Sequence, residues 1–503
     1  MPLARAWSVA LHGVDGRLVE IEADIGAGLP AVHLVGLPDA ALAESKDRVR
    51  AAVVNSGRRW PGRRITFALS PATMPKGGSG FDVALACSVL AAEGTVRQGP
   101  LEQVVLIGEL ALDGRIRPVR GVLPCLLAVR ATGLRKVVVP VAALAEAGLV
   151  DGLEVFGAAR LNDVLGWLDG SVSLSRPAAA TPGPVPQPPD LADVVGQGDA
   201  RLALEVAAAG GHHLMLIGPP GTGKTMLAQR MVGLLPELSA EQALQLAAIR
   251  SVAGRLPPAG PLSTTPPFVA PHHSSSMAAL VGGGSGLAHP GAVSLAHNGV
   301  LFLDEAGEFA GRALEALRTP LEEGEVRLAR TDGTVRYPAR FQLLMAANPC
   351  PCAPAHDRDC VCPSGVRRRY LGRLSGPLLD RVDLRATMYP LTALSAVDAA
   401  DTESTAAVRE RVLRARAAAA ARWAARGWRT NAEVPGPTLR AEYRLPRAVT
   451  RPLDEGLRLG LLTGRGADRA LRVAWTLSDL AGQDRPDETM VRAAILFRDR
   501  RAV

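Results

Sequence analysis

A chain of 503 residues is long enough for about three domains with buried cores, which excludes a small disulfide-stapled scaffold. With 48% hydrophobic and 21% charged residues the composition is globular, and no apolar run reaches bilayer-spanning length, so disordered, collagen-like and membrane-spanning classes fall away. A formal charge of +8 suits a polyanionic partner without naming one, and 4% aromatics exclude an extended base-stacking platform.

In chain order, MPLARAWSVALHG lacks the apolar core and cleavage site of a secretory signal, so a cytoplasmic protein with no membrane attachment is expected. VEIEADI alternates as a strand, ESKDRVRAAVVNSG reads as an amphipathic helix ending at Gly57, and RITFALS reads as a strand. These elements predict an α+β domain over residues 1–170. SVSLSRPAAATPGPVPQPPD, residues 171–190, is a proline-rich linker through which neither a helix nor a central strand can run. LADVVGQGDARLALEVAAAG is then expected as a helix, HHLMLIG as a buried strand and TMLAQRMVGLL as a second helix, opening an α/β core over 191–390. From about 391 to 503 the chain turns Ala/Arg-rich and helical, which predicts a helical lid.

GPPGTGKT, Gly218 to Thr225, fits the P-loop pattern between an apolar strand and a helix. Gly218, Gly221 and Gly223 let the backbone turn its N–H groups towards phosphates, with Thr222 inside the loop. Lys224 is placed to reach the β- and γ-phosphates of ATP, and the Thr225 hydroxyl to bind Mg²⁺. VLFLDE ends in Asp304, which would support the magnesium, and Glu305, the candidate to polarise the attacking water. FQLLMAANP stops at Asn348, either a water-orienting amide or a simple turn residue before proline.

CPCAPAHDRDCVC sets Cys350, Cys352, Cys360 and Cys362 in a C-x-C-x7-C-x-C pattern. The number and softness of the ligands suit a structural zinc ion; free thiols or a redox loop are the alternative, with His356 as a substitute ligand. VRLARTDGTVRYPARF reads as a β-hairpin turning at Asp332-Gly333, flanked by Arg327, Arg330 and Arg336. Those guanidiniums either grip DNA phosphates or solubilise an exposed hairpin. Seven arginines from Arg409 to Arg429 either extend such a track or coat a lid helix.

The P-loop, acidic-strand and asparagine spacings resemble those of AAA+ ATPases. The runs APHHSSSMAALVGGG, HPGAVSLAHNGVLFLDEAGEF, TVRYPARFQLLMAANPCPC and LSGPLLDRVDL, with the opening SVALHGVDGRLVEIEADIGAGLP, are similar to those of the magnesium-chelatase-like YifB/ComM family, from about residue 5 to about residue 480. The resemblance implies an AAA+ P-loop core with helical lid, a homo-oligomeric, hexameric ring, and a helicase promoting branch migration of DNA in recombination or uptake. It implies further that Arg381, in LLDRVD, is the arginine finger supplied to a neighbouring subunit. Arg465 would be the lid sensor, with Arg469 and Arg472 as alternatives. Fold analogy leaves open a chelatase-type ATPase acting on a protein or tetrapyrrole partner. Val269, in PPFVAPHH, stands where relatives usually carry arginine.

TFALSPATMPKGGSGFDVALACSVLAAEG and IGELALDGRIRPVRGVLPCLLAVRATGLRKVVVP resemble the proteolytic domain of Lon, which uses a serine activated by a lysine. Here Gly80 falls at the nucleophile position, with Ser79 one residue early, and Leu123 falls where the base lysine belongs. A binding or assembly module is therefore expected rather than a protease, with Lys76, Arg115, Arg117 and Arg120 as either nucleic-acid contacts or plain surface charge.

Overall fold

The computed structural model describes residues 3–74, 76–178, 188–257, 262–284, 288–330, 333–354, 359–374, 376–390 and 402–498. Asp332, His356, the interior of the proline-rich stretch and the expected start of the lid lie outside the described residues.

The first 158 residues carry a seven-stranded mixed sheet. Its strands run in the order Ala31–Val35, Arg64–Ser70, Asp15–Gly26, Leu3–His12, Val104–Leu106, Lys136–Pro140, Glu154–Ala158. The alternation read in VEIEADI extends into a twelve-residue strand, Asp15–Gly26, whose Val19, Ile21, Ala23 and Ile25 are buried while the residues between them are more exposed. The helix expected after it spans Ser45–Asn55 and ends before Gly57, which sits at φ +74 as a helix-stopping glycine does.

A second, five-stranded sheet holds the P-loop. Its order is Phe268–Val269, Val300–Leu303, Gln342–Ala347, Leu214–Ile217, Leu384–Thr387, and every pairing is parallel. The three central strands are buried throughout, as their unbroken apolar runs require of a sheet covered on both faces. Because all strands point one way, the residues following them collect at one edge.

One expectation about an element is corrected. LADVVGQGDARLALEVAAAG is not one helix: Leu191–Asp193 forms a 3₁₀ turn, Gly196 and Gln197 take positive φ of 66 and 57, and the helix proper is Gly198–Gly210. The Gly-Gln-Gly step breaks the periodicity that a window over the whole segment smooths away.

Helices beyond residue 404, chiefly Thr405–Trp423 and Gly464–Leu480, share one apolar core with the P-loop sheet, in which Leu216, Phe302 and Leu344 join Val412, Ala470 and Ala474. The amino-terminal sheet also packs on the ATPase core. Val9, Leu123 and Leu126 share an apolar cluster with Ala247 and Ala248 of the helix Ala240–Ala253. The hairpin strands Glu325–Arg330 and Gly333–Pro338 meet the turn between the first two strands: His12 Nε2 lies 3.2 Å from the Thr334 carbonyl. Gly13, at φ +69, leaves only 2.6 Å between a would-be Cβ and the Arg336 carbonyl oxygen.

Candidate nucleotide site and its surroundings

Three parallel strands bring the chemistry together. The register sets Ile217 opposite Ala347 and Leu303 opposite Met345, so the P-loop, Asp304 and Asn348 emerge side by side. Gly221 and Gly223 sit at φ +76 and +87, conformations that cost a residue with a Cβ. At Gly218 the reason is space: a Cβ would lie 2.5 Å from the Met388 carbonyl. Thr222 is buried and donates to the Pro219 carbonyl at 2.9 Å, bracing the loop from inside.

Lys224 donates to Gly218 O at 2.7 Å, to Pro219 O at 2.8 Å and to Asn348 Oδ1 at 3.1 Å. Burial pulls its ammonium below the usual lysine range, against the opposing pull of Asp304 and Glu305. The Thr225 hydroxyl donates to Asp304 Oδ2 at 2.6 Å, an oxygen pair of the kind that supports Mg²⁺ beside a polyphosphate. Asp304 Oδ1 accepts the Glu305 N–H at 2.9 Å, and Glu305 adopts φ +51. That left-handed turn lifts its carboxylate out of the strand line, where Glu305 Oε2 lies 2.9 Å from His273 Nδ1.

Two residues near this site were not singled out in the sequence. Gln197 donates to Tyr389 O at 2.6 Å and to Thr222 O at 3.4 Å, tying the P-loop to the end of the strand Leu384–Thr387. Its signal was the Gly-Gln-Gly interruption. His273 was visible only as half of a histidine pair in a loop.

The arginines are distributed differently. Arg381 is 6% exposed, donating to Pro377 O at 2.6 Å and to Glu322 of its own chain. Arg465 is exposed in the first turn of the helix Gly464–Leu480, whereas Arg469 donates to Arg381 O at 3.0 Å and Asp383 Oδ1 at 2.6 Å, and Arg472 to Val434 O at 2.7 Å. Burial works to raise the Asp383 carboxyl, but Arg469 and His212 outweigh it and hold the group well below the carboxylate range. Lid and core are therefore joined by a buried ion pair directly behind Arg381.

In the hairpin, Arg327 pairs with Glu325 at 2.6 Å and Glu323 at 2.9 Å, and Arg336 lies 3.9 Å from Glu325. Arg330 keeps a buried Nε without a hydrogen-bond partner among the described residues. The seven arginines of 409–429 are largely committed to structure: Arg411 to Glu205 and Glu403, Arg422 to Asp479, Arg426 to Glu442, while Arg416 is buried on the Ala208 carbonyl. Lys76 needs correction as a nucleic-acid contact. It is fully buried, its ammonium donating to Gly36 O at 3.0 Å and to Pro71 O, so no phosphate can reach it. Arg115 and Arg117 face Asp113 and Glu109. Ser79 donates to Glu109, and Leu123 is buried in the apolar cluster shared with the ATPase core. Val269 lies half-buried in the edge strand.

The four clustered cysteines converge. Sγ separations are 3.4 Å for Cys350–Cys352, 3.5 Å for Cys350–Cys360 and 3.7 Å for Cys352–Cys360, and all four sulfurs lie within 4.8 Å of one another. A tetrahedron with zinc–sulfur bonds of ~2.3 Å has edges of about 3.8 Å, so this thiol set fits a four-coordinate metal. Burial pushes the Cys350 thiol up to about 12, a proton that a bound cation would displace.

Comparison with known proteins agrees with this geometry. Residues 190–396 match the family described as magnesium chelatase, subunit ChlI; residues 21–143 match subunit ChlI of Mg-chelatase; residues 402–498 match the subunit ChlI C-terminal family. YifB of Escherichia coli (strain K12) is 40% identical over 99% of this chain and 97% of its own, and the competence protein ComM of Haemophilus influenzae is 39% identical over 99% and 98%. The chain belongs to the YifB/ComM family of magnesium-chelatase-like AAA+ ATPases. An uncharacterised protein of Mycobacterium tuberculosis (strain ATCC 25618 / H37Rv) is a closer member, 61% identical over 99% of both chains. The amino-terminal part also resembles Lon protease 2 of Bacillus subtilis, 31% identical over 31% of this chain and 29% of that one. Membership of this AAA+ family implies use of a nucleotide with Mg²⁺ and assembly into an oligomer. Among the described residues no helix is long and apolar enough to cross a membrane.

Proposed function

We propose that this chain is a ring-forming, Mg²⁺-dependent ATPase that translocates on or remodels DNA, as a branch-migration helicase in recombination or DNA uptake. The convergence of Lys224, Thr225, Asp304, Glu305 and Asn348 at one sheet edge carries the ATPase half of this reading. Lys224 and the loop amides hold the phosphates, Thr225 and Asp304 hold Mg²⁺, Glu305 takes a proton from the attacking water, and Asn348 orients it. Arg381 reaches the nucleotide of a neighbouring subunit after exchanging Glu322 for the phosphate, and Arg465 serves it from the lid. Division into a Lon-like unit (1–170), linker (171–190), core (191–390) and lid (391–503) belongs to the same proposal, with six subunits to the ring in the cytoplasm.

The DNA half is supported by the hairpin arginines Arg327, Arg330 and Arg336, two of them exposed, and by the description of its relative ComM as a competence protein. Zinc in the four-cysteine cluster completes the reading. A branch-migration assay on a mobile junction tests it: ATP-dependent strand exchange is expected, and its absence with an active ATPase would overturn the DNA assignment. The second reading, a chelatase-type ATPase remodelling a protein or tetrapyrrole partner, is favoured by the magnesium-chelatase description of the matching families.

A further inference from the structure

The sequence of the helix Ser364–Arg373, SGVRRRYLGR, disfavours helix formation: it holds four arginines, two glycines and no acidic residue. Like charges four apart, as at Arg369 and Arg373, and glycines inside a helix each cost stability. The helix is held from outside instead. It starts directly after the four-cysteine loop, where Pro363 O accepts the N–H groups of Val366 at 2.9 Å and Arg367 at 3.1 Å. Its inner side grips the turn that follows Asp304 and Glu305. Tyr370 is 4% exposed and packs so closely on Gly307 that a Cβ there would lie 2.4 Å from the ring. Arg373 donates to Gly307 O at 3.0 Å and to Glu308 Oε2 at 3.0 Å.

The other three arginines have no such task. Arg368 and Arg369 are exposed and Arg367 is half-buried, and among the described residues none of the three meets a carboxylate. Arg369 Nε donates to Gly365 O of its own helix at 3.3 Å. The contrast is with the lid, where Arg411, Arg422 and Arg426 are paired, and with the hairpin, where Arg327 is shared by Glu323 and Glu325. Positions 365, 368, 369 and 372 fall on one helical stripe. A Cβ added at Gly365 or Gly372 would meet nothing within 4 Å, so the stripe opens to solvent. It carries no apolar side chain to serve as the buried anchor of a protein partner. Tyr370 is turned inward, which leaves no ring on the stripe for bases to stack on. What remains is a group of uncompensated guanidiniums, which suits phosphates contacted without reading sequence.

We infer that the exposed face of Ser364–Arg373 is a contact surface for the phosphodiester backbone of DNA, with Arg368 and Arg369 at its centre and Arg367 beside them. The inference rests on the reading that the chain acts on DNA, and it adds to the hairpin a second contact on a helix anchored to the turn beside Glu305. The test is equilibrium binding of a fluorescently labelled DNA duplex to the full chain across a salt series. Replacing Arg368 and Arg369 together with alanine should lower the slope of log affinity against log salt by about 2, so that going from about 50 to about 200 mM salt costs the wild type about 10-fold more affinity than the variant. Arg368→Lys combined with Arg369→Lys keeps both charges and should hold the wild-type slope. An unchanged slope in the alanine variant would overturn the inference and leave the DNA reading standing. A wild-type protein without salt-dependent DNA binding would bring down both. Wild-type DNA binding in the alanine variant with weakened binding of polyglutamate, or with loss of ATP hydrolysis alone, would assign the surface to an acidic protein or to a neighbouring subunit's nucleotide, and would equally overturn it. Should the alanine variant fail to fold, Arg368→Gln combined with Arg369→Gln is scored in the same way.

Discussion

Lys224 holds two carbonyls of its own loop and the amide oxygen of Asn348, while Thr225 holds Asp304, so each P-loop side chain is already tied to the strand it must act with. This division assigns binding and chemistry to different residues, and the assignment can be tested one carboxylate at a time. Glu305→Gln keeps the shape of the side chain and removes its basicity. It should bind ATP normally and lose turnover by about 100-fold or more, read by comparing nucleotide binding with phosphate release. Turnover at the wild-type rate would show that the base lies elsewhere. The residue scale also shows what a lone side chain conceals. The family resemblance implies a finger role for Arg381 in LLDRVD, while its guanidinium lies almost buried against Glu322, a contact between sequence positions too distant for spacing to reveal.

At the scale of elements, the strands and the P-loop helix were legible because their signals are local: unbroken apolar runs, glycines at the turn, a polar residue at the strand end. Gln197 and His273 were not, because their significance arises from the order of strands in the sheet. Nothing in PHHSSS says that its strand will lie beside VLFLDE. The hairpin was expected from its Asp-Gly turn, but Glu323 and Glu325 beside its arginines change its electrostatics, because a guanidinium shared with carboxylates must exchange them for phosphate. The four-cysteine loop combines both kinds of signal, its ligand count readable and its convergence visible only in three dimensions. Replacing Cys360 with serine should bring bound zinc, measured by elemental analysis of the purified protein, from stoichiometric to trace and lower the melting temperature. Equal metal content in the variant and the parent would remove the cluster as the site.

For the whole molecule, the amino-terminal unit and the ATPase core share a buried seam that the proline-rich stretch did not foretell. A linker of that composition describes how two units are tethered and says nothing of whether their surfaces match. The seam touches the core at the helix Ala240–Ala253 and at the hairpin, so the Lon-like unit contacts the element assigned to DNA. Gly13→Ala places a Cβ against the Arg336 carbonyl in a left-handed conformation, and should lower stability by about 1–3 kcal/mol in denaturant unfolding. An unchanged midpoint would mean that the two units do not pack through this turn. The net charge of +8 acquires a more specific meaning as well. Several lid arginines are bound to carboxylates or buried, and the polyanion contact is assigned to the hairpin, where Arg327 and Arg336 must exchange Glu323 and Glu325 for phosphate. ATP turnover of the assembled protein, measured with and without branched DNA across a salt series, tests the central claim most directly. The account predicts stimulation at low salt that falls steeply as salt rises, since each phosphate contact releases counterions, and that weakens when Arg327 and Arg336 are both replaced by alanine. Mg²⁺-dependent hydrolysis that branched DNA leaves unchanged at every salt concentration would contradict it.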